Sequence, residues 1–210
     1  MRKIILVGAV AAIALAGAQS VAQETPAPPP ASATQPAEVR AGAYALDKSH
    51  AKVVWAANHF GFSTYYGEFT DFDAKLTLDP AAPERSSLQV TVAMPSADTH
   101  NDGLDKHLAT ADFFDVAQYP TATFVSTEVR RTGDRTADVT GDFTLRGVTK
   151  PLTLKVTYNG AGVSPAGGKY TVGFSAEGVV KRSDYGMTYA IPGVADDVKL
   201  LISGEFNPAA

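Results

Sequence analysis

Hydrophobic and polar residues alternate with a period of two through most of the chain after about residue 43. In the clearest run, Thr136 to Arg146, residues Ala137, Val139, Gly141, Phe143 and Leu145 share one face, and Asp138, Thr140, Asp142 and Thr144 share the other. Such a segment is a strand with one face buried and one in water. The pattern recurs in Leu88, Val90, Val92 and Met94, in Leu152, Leu154, Val156 and Tyr158, and in Val198, Leu200, Ile202 and Phe206. With Val53–Asn58, Tyr65–Leu78, Thr121–Arg131 and Tyr170–Val179 these predict about eight strands. Turn chemistry falls between them at Asp79-Pro80, Thr132-Gly133-Asp134, Arg146-Gly147, Asn159-Gly160 and Gly167-Gly168. Short joins imply antiparallel neighbours, so the chain reads as all-β, a barrel or a sandwich. One stretch breaks the rhythm: His100 to Val116, where Asp105-Lys106-His107-Leu108-Ala109 with Phe113 and Phe114 predicts one or two helical turns beside the sheet.

The N-terminus follows a different pattern. Arg2 and Lys3 precede an uncharged apolar run from Ile4 to Ala18, and Ser20-Val21-Ala22 offers small residues for cleavage. Residues 1–22 therefore read as a signal peptide cut before Gln23, with a second possible cut before Gln19. The run falls short of the ~20 apolar residues of a spanning helix, so no stable membrane span is expected after cleavage. Residues 23–42 form an Ala/Pro-rich spacer, with Pro26, Pro28, Pro29, Pro30 and Pro36 favouring extended backbone. The folded domain is expected over 43–207, and the protein is expected in the periplasm or secreted.

Composition narrows the function. Eighteen basic residues against twenty-two acidic ones give a net charge of −4, which supplies no basic field for nucleic acid. Removing residues 1–22 takes away Arg2 and Lys3 and no acid, leaving sixteen against twenty-two, or −6. With no Cys in the chain, disulfides, thiolate nucleophiles and Cys-ligated metals are excluded. No phosphate loop, dinucleotide fingerprint or Gly-x-Ser-x-Gly element is present, so neither catalytic residues nor a cofactor are expected. His100, Asp102, Asp105 and His107 of the insert form the one cluster conceivable as a metal or enzymatic site, although the two histidines lack one-turn helical spacing.

Aromatic residues concentrate in two places. Phe60, Phe62, Tyr65, Tyr66, Phe69 and Phe72 fall close together, as do Phe113, Phe114, Tyr119 and Phe124. They suit either a packed barrel core or the wall of a ligand pocket. Lys181-Arg182-Ser183-Asp184-Tyr185-Gly186-Met187 sets two cations beside an acid, either as an Arg182–Asp184 clasp or as a cation facing a phosphate, carboxylate or polar head group.

Several ordered motifs resemble the YceI-like family. They are Ser49-His50-Ala51-Lys52-Val53-Val54-Trp55, Asn58-His59-Phe60-Gly61-Phe62-Ser63 with Gly67-Glu68-Phe69, and Leu104-Asp105-Lys106-His107-Leu108 followed by Asp112-Phe113-Phe114-Asp115-Val116 and Tyr119-Pro120. Gly141 to Pro151 resembles the family's paired central strands, and Arg182-Ser183-Asp184-Tyr185-Gly186-Met187 its late Arg-x-Asp-Phe-Gly signature, with Tyr185 replacing Phe. The resemblance implies an eight-stranded antiparallel, lipocalin-like barrel whose apolar tunnel holds a polyisoprenoid, a quinone or a fatty-acyl lipid. It puts Trp55, Phe60, Phe62, Phe69, Phe72, Phe113, Phe114, Phe124, Phe143 and Tyr185 on the tunnel wall or mouth, and His59, His107, Arg182 and Asp184 at a polar end or in a structural polar network. An envelope interaction module with a barrel filled by side chains is the other possibility left open, and a small barrel also permits a homodimer.

Overall fold

The computed structural model describes residues 38–209, so the expected signal peptide and residues 23–37 of the expected spacer lie outside the described residues. Ten strands form: β1 (Gly42–His59), β2 (Ser63–Phe69), β3 (Phe72–Leu78), β4 (Ser87–Ala93), β5 (Ala97–Asp98), β6 (Thr121–Arg131), β7 (Thr136–Leu145), β8 (Val148–Val163), β9 (Tyr170–Lys181) and β10 (Asp197–Pro208). One short helix, α1 (Asp102–Leu108), sits in the predicted insert. Asn101 caps it by accepting from the Gly103 and Leu104 amides at 3.1 and 3.2 Å.

All strand pairs are antiparallel, and β10 returns to pair with β1, closing an eight-stranded barrel. Ten strands make eight staves because β2 and β3 pair with successive parts of β1, while β5 continues from β4 to pair with β2. Closure pairs the two ends of the sheet, and among the described residues Ser63–Gly67 of β2 is left with β1 as its one strand partner. The register of β1 against β10 slips where Asp47 faces Glu205 and Ala51 faces Gly204, so Lys48, Ser49 and His50 bulge out unpaired. That bulge is why the first strand starts eleven residues before Val53: polar residues interrupt the alternation without ending the strand.

The β7–β8 join is a two-residue turn with Arg146 at φ 50° and Gly147 at φ 72°, the left-handed pair that matches hairpin twist. Asn159-Gly160 is not a turn. It lies within β8, at a register shift against β9, and the chain reverses later, where Ser164 and Lys169 close a loop. Ahead of β1, Val39 is buried among Tyr44, Tyr158, Val172 and Phe206 and covers the end of the barrel opposite α1. Among the described residues no helix is long and apolar enough to cross a membrane.

Candidate functional site

The inward positions of the period-two runs face one another across the barrel axis and do not fill it. They enclose a cavity of about 720 Å³, within the ~300–1,000 Å³ typical of small-molecule sites. Leu88, Val90 and Val92, then Val139 and Phe143, then Leu152 and Leu154, then Leu200 and Ile202 form its wall. The cavity runs from Leu104, His107 and Phe113 of the insert to Arg131 and Arg135 on the β6–β7 hairpin. An interior packed solid with side chains, one of the expectations above, is therefore not what the chain builds.

Glycines help explain the open axis. Trp55 and Gly67 are cross-strand partners, and a methyl added at Gly67 would lie 2.2 Å from the indole. One added at Gly141 would lie 2.6 Å from the Phe124 ring. Both rings thus lie down on bare backbone instead of projecting into the lumen. The Trp55 indole N–H is buried without an acceptor, at a cost of about 1–3 kcal/mol.

Of the predicted wall residues, Trp55, Phe60, Phe69, Phe72, Phe113, Phe114, Phe124 and Phe143 line the cavity. Phe69 and Phe114 join β2 to the insert, with ring centroids 5.6 Å apart. Phe62 does not line it: the residue sits in the tight turn between β1 and β2 and leaves 91% of its surface in water. Tyr185 is buried edge-on against Phe143 at 5.5 Å, outside the lining. Tyr65, Leu104 and Tyr189 belong to the wall without having been singled out for it. Tyr65 stood in the aromatic cluster, whereas Tyr189 sits in a loop with no periodicity to mark its direction.

The polar candidates separate. His59 lies at the mouth, edge-on to Phe60 at 4.7 Å. His107 also lines the mouth, bonded through Nε2 to Asp112 at 2.9 Å and edge-on to Phe113 and Tyr189. Arg182 lines the cavity but is 4% exposed, and its guanidinium donates to the carbonyls of Ala195 (2.9 Å), Met187 (3.1 Å) and Val194 (2.9 Å). Burial draws its pKa below the ordinary value, and nearby Asp196 opposes that shift. Asp184 does not clasp Arg182; it pairs with Lys150 at 3.0 Å, because the turn at Arg182–Tyr185 points the two side chains apart.

The insert residues weighed as a metal set do not converge. Asp105 accepts from the Thr99 amide and hydroxyl at 2.9 and 2.6 Å, His107 is committed to Asp112, and His100 lies 3.3 Å from Asp98. Among the described residues the convergent group is Asp47, His50 and Glu205, at the β1 bulge and away from the cavity. There the Ser49 hydroxyl (2.5 Å), then His50 (3.0 Å), hold the Asp47 carboxyl at about 2. The Asp47 bond, then the charges of Asp47 and Glu205, raise His50.

The signs of the two shifts differ. Raised His50 favours the fold below about pH 6.5, and that contribution fades as pH rises through its shifted value. Depressed Asp47 favours the fold above about pH 4, and its contribution fades as pH falls toward about 2. In an NMR titration the His50 midpoint is expected above the ordinary imidazole value, and Asp47→Asn is expected to lower it. A midpoint unmoved by that change would refute the pairing.

Fold and cavity together define a closed antiparallel β-barrel with a continuous apolar interior space. The YceI-like domain matches residues 44–206, and this chain belongs to the YceI-like family. A UPF0312 protein of Pseudomonas putida (strain W619) is 47% identical over 152 residues, covering 71% of this chain and 79% of that protein. The crystal structure of Burkholderia cenocepacia BcnA is similar at a TM-score of 0.69 and 28% identity, over 76% of this chain and 98% of that one. A polyisoprenoid binding domain from Saccharophagus degradans shares the fold, with a TM-score of 0.61 at 14% identity, over 81% of this chain and all of that one.

Proposed function

We propose that this protein is an exported carrier that holds one polyisoprenoid, quinone or other long-chain lipid along the barrel axis. The observation that carries the reading is the cavity of about 720 Å³, walled by the inward face of nearly every strand. Each methylene moved from water into such a space is worth about 0.8 kcal/mol, so a chain of several prenyl units gains enough to offset the cost of ordering it. The fold shared with a polyisoprenoid binding domain supports the cargo class. The apolar, cation-led residues 1–22 support export. Sequestration requires no catalytic group, only a dry wall.

Native mass spectrometry of protein purified without detergent, followed by denaturation and identification of released molecules, tests the reading. A one-to-one lipid adduct is expected, and the same spectrum gives the subunit count. Protein that carries nothing as isolated, and takes up nothing after incubation with prenyl and acyl lipids, would overturn it.

A further inference from the structure

Phe62 resembles the wall residues by sequence yet stands outside the wall. The turn that displays it is tightly built: the Phe62 amide donates to the His59 carbonyl at 3.0 Å, and the Gly61 amide to the Asn58 side-chain oxygen at 2.8 Å. The Phe60 amide donates to the Gly193 carbonyl at 2.6 Å, tying the tip to the loop that carries Tyr189. Phe60 is held at φ 53°, a region that bulky residues seldom occupy. Phe60 still packs edge-on to His59 and lies against the bare backbone of Gly193, but the Phe62 ring beside it buries almost no surface and so contributes little to the fold. Phe60 is 54% exposed, Phe62 91% and Tyr189 49%.

Position gives these rings a shared role. Phe60 and Tyr189 line the insert end of the cavity with His59 and His107, and Phe62 lies one residue past Gly61 on the same tip. Exposed aromatics on two separate segments therefore rim the mouth, and Phe60 to Thr64 carries no charge. Aromatic side chains are favoured at the boundary between lipid and water, where an apolar face can enter the acyl region. An apolar occupant of the cavity is stable in a bilayer and not in water, so its route in or out is shortest when the mouth touches lipid. We infer that the Phe60–Phe62 tip and Tyr189 dock the mouth on a lipid bilayer, with Phe62 inserted, so that cargo passes between membrane and cavity without crossing water. The transfer step rests on the carrier reading; the docking step does not.

The net charge of −4, or −6 once residues 1–22 are removed, leaves little attraction for anionic lipid, so docking is expected on zwitterionic surfaces and with weak salt dependence. Purified protein is sedimented with cargo-free phosphatidylcholine vesicles. The wild type is expected in the pellet, with Phe62→Ser lowering the vesicle partition coefficient by about tenfold or more, the scale of one lost apolar insertion. Phe62 is too exposed for this change to alter the thermal midpoint. Phe62→Trp is expected to keep binding and to show a vesicle-dependent blue shift over the constant emission of buried Trp55.

Transfer of a quinone out of loaded vesicles is expected to slow in Phe62→Ser, while affinity for the same quinone delivered on cyclodextrin stays unchanged. Absence of the wild type from the pellet, or equal sedimentation of wild type and Phe62→Ser, overturns docking. A subunit count that changes in Phe62→Ser without vesicles makes the rim a contact between copies and also overturns it. Failure to bind quinone by either route overturns the carrier reading alone, and sedimentation still decides docking.

Discussion

Ala176→Phe is expected to leave the barrel folded and to strip it of cargo. Ala176 lies midway along β9, pairs with Val156 on β8 and Ile202 on β10, and lines the cavity with both. A benzyl group there projects into open space, so the usual cost of overpacking, about 1–3 kcal/mol, is offset by the ring's own burial. The thermal midpoint should stay level or rise. Displacing about four methylenes of a bound chain removes about 3 kcal/mol of apolar burial, a loss on the order of a hundredfold in affinity. Native mass spectra of wild type and variant, purified side by side, decide the matter. If both carry the same lipid at the same occupancy, the cavity is not where the lipid sits.

Arg182→Ala is expected to have the largest effect on stability. The guanidinium is buried, and each of its three donors meets a different backbone carbonyl: Met187 just after its own turn, and Val194 and Ala195 on the way into β10. Asp196 beside it accepts from the Ser183 amide and hydroxyl at 2.8 and 2.7 Å. Burial alone raises the Asp196 carboxyl, but the Ser183 bonds, then Lys181 and Arg182, bring it below the ordinary range. A negative charge therefore stays close to the arginine.

Truncation to Ala strands three carbonyls and opens a hole, and since each buried polar group left unsatisfied costs about 1–3 kcal/mol, a loss of several kcal/mol is expected. Arg182→Lys keeps the charge but cannot span three diverging acceptors, so it should fall between. Urea unfolding followed by circular dichroism reads both variants. An Arg182→Ala protein within about 0.5 kcal/mol of wild type would show the clasp to be dispensable, since surface changes already scatter that far. The same arginine anchors the segment bearing Tyr189, Ala190 and Val194, which line the mouth, so Arg182→Lys is also expected to release cargo faster.

The strands and most of the cavity wall were legible because alternation is local. Val139 and Phe143, Leu152 and Leu154, and Leu200 and Ile202 turn inward as the period of two requires. The failures fall where something interrupts that period. Lys48 to His50 bulge from β1, hiding its first half, and a register shift keeps Asn159-Gly160 inside β8. Phe62 lies in the turn between β1 and β2, where the alternation of a strand sets no face. Tyr185 and Asp184 sit on a helical turn, where strand periodicity gives no direction. The motif read as a polar end places its arginine against main-chain carbonyls and its acid on Lys150, and Val194, Ala195 and Lys150 lie far enough along the chain that no local pattern indicates them.

By itself the spacing of near neighbours determined the all-β class, about eight alternating strands, the helical insert and most of the side chains that face the axis; the choice of a barrel over a sandwich came from the resemblance to the YceI-like family. Whether those side chains meet at the axis was decided only by the closed barrel. Its radius is set by strand number and stagger, and the space left inside depends on how each ring lies. Trp55 and Phe124 recline on Gly67 and Gly141, contacts made between strands by the register of the sheet, and the interior stays open as a result.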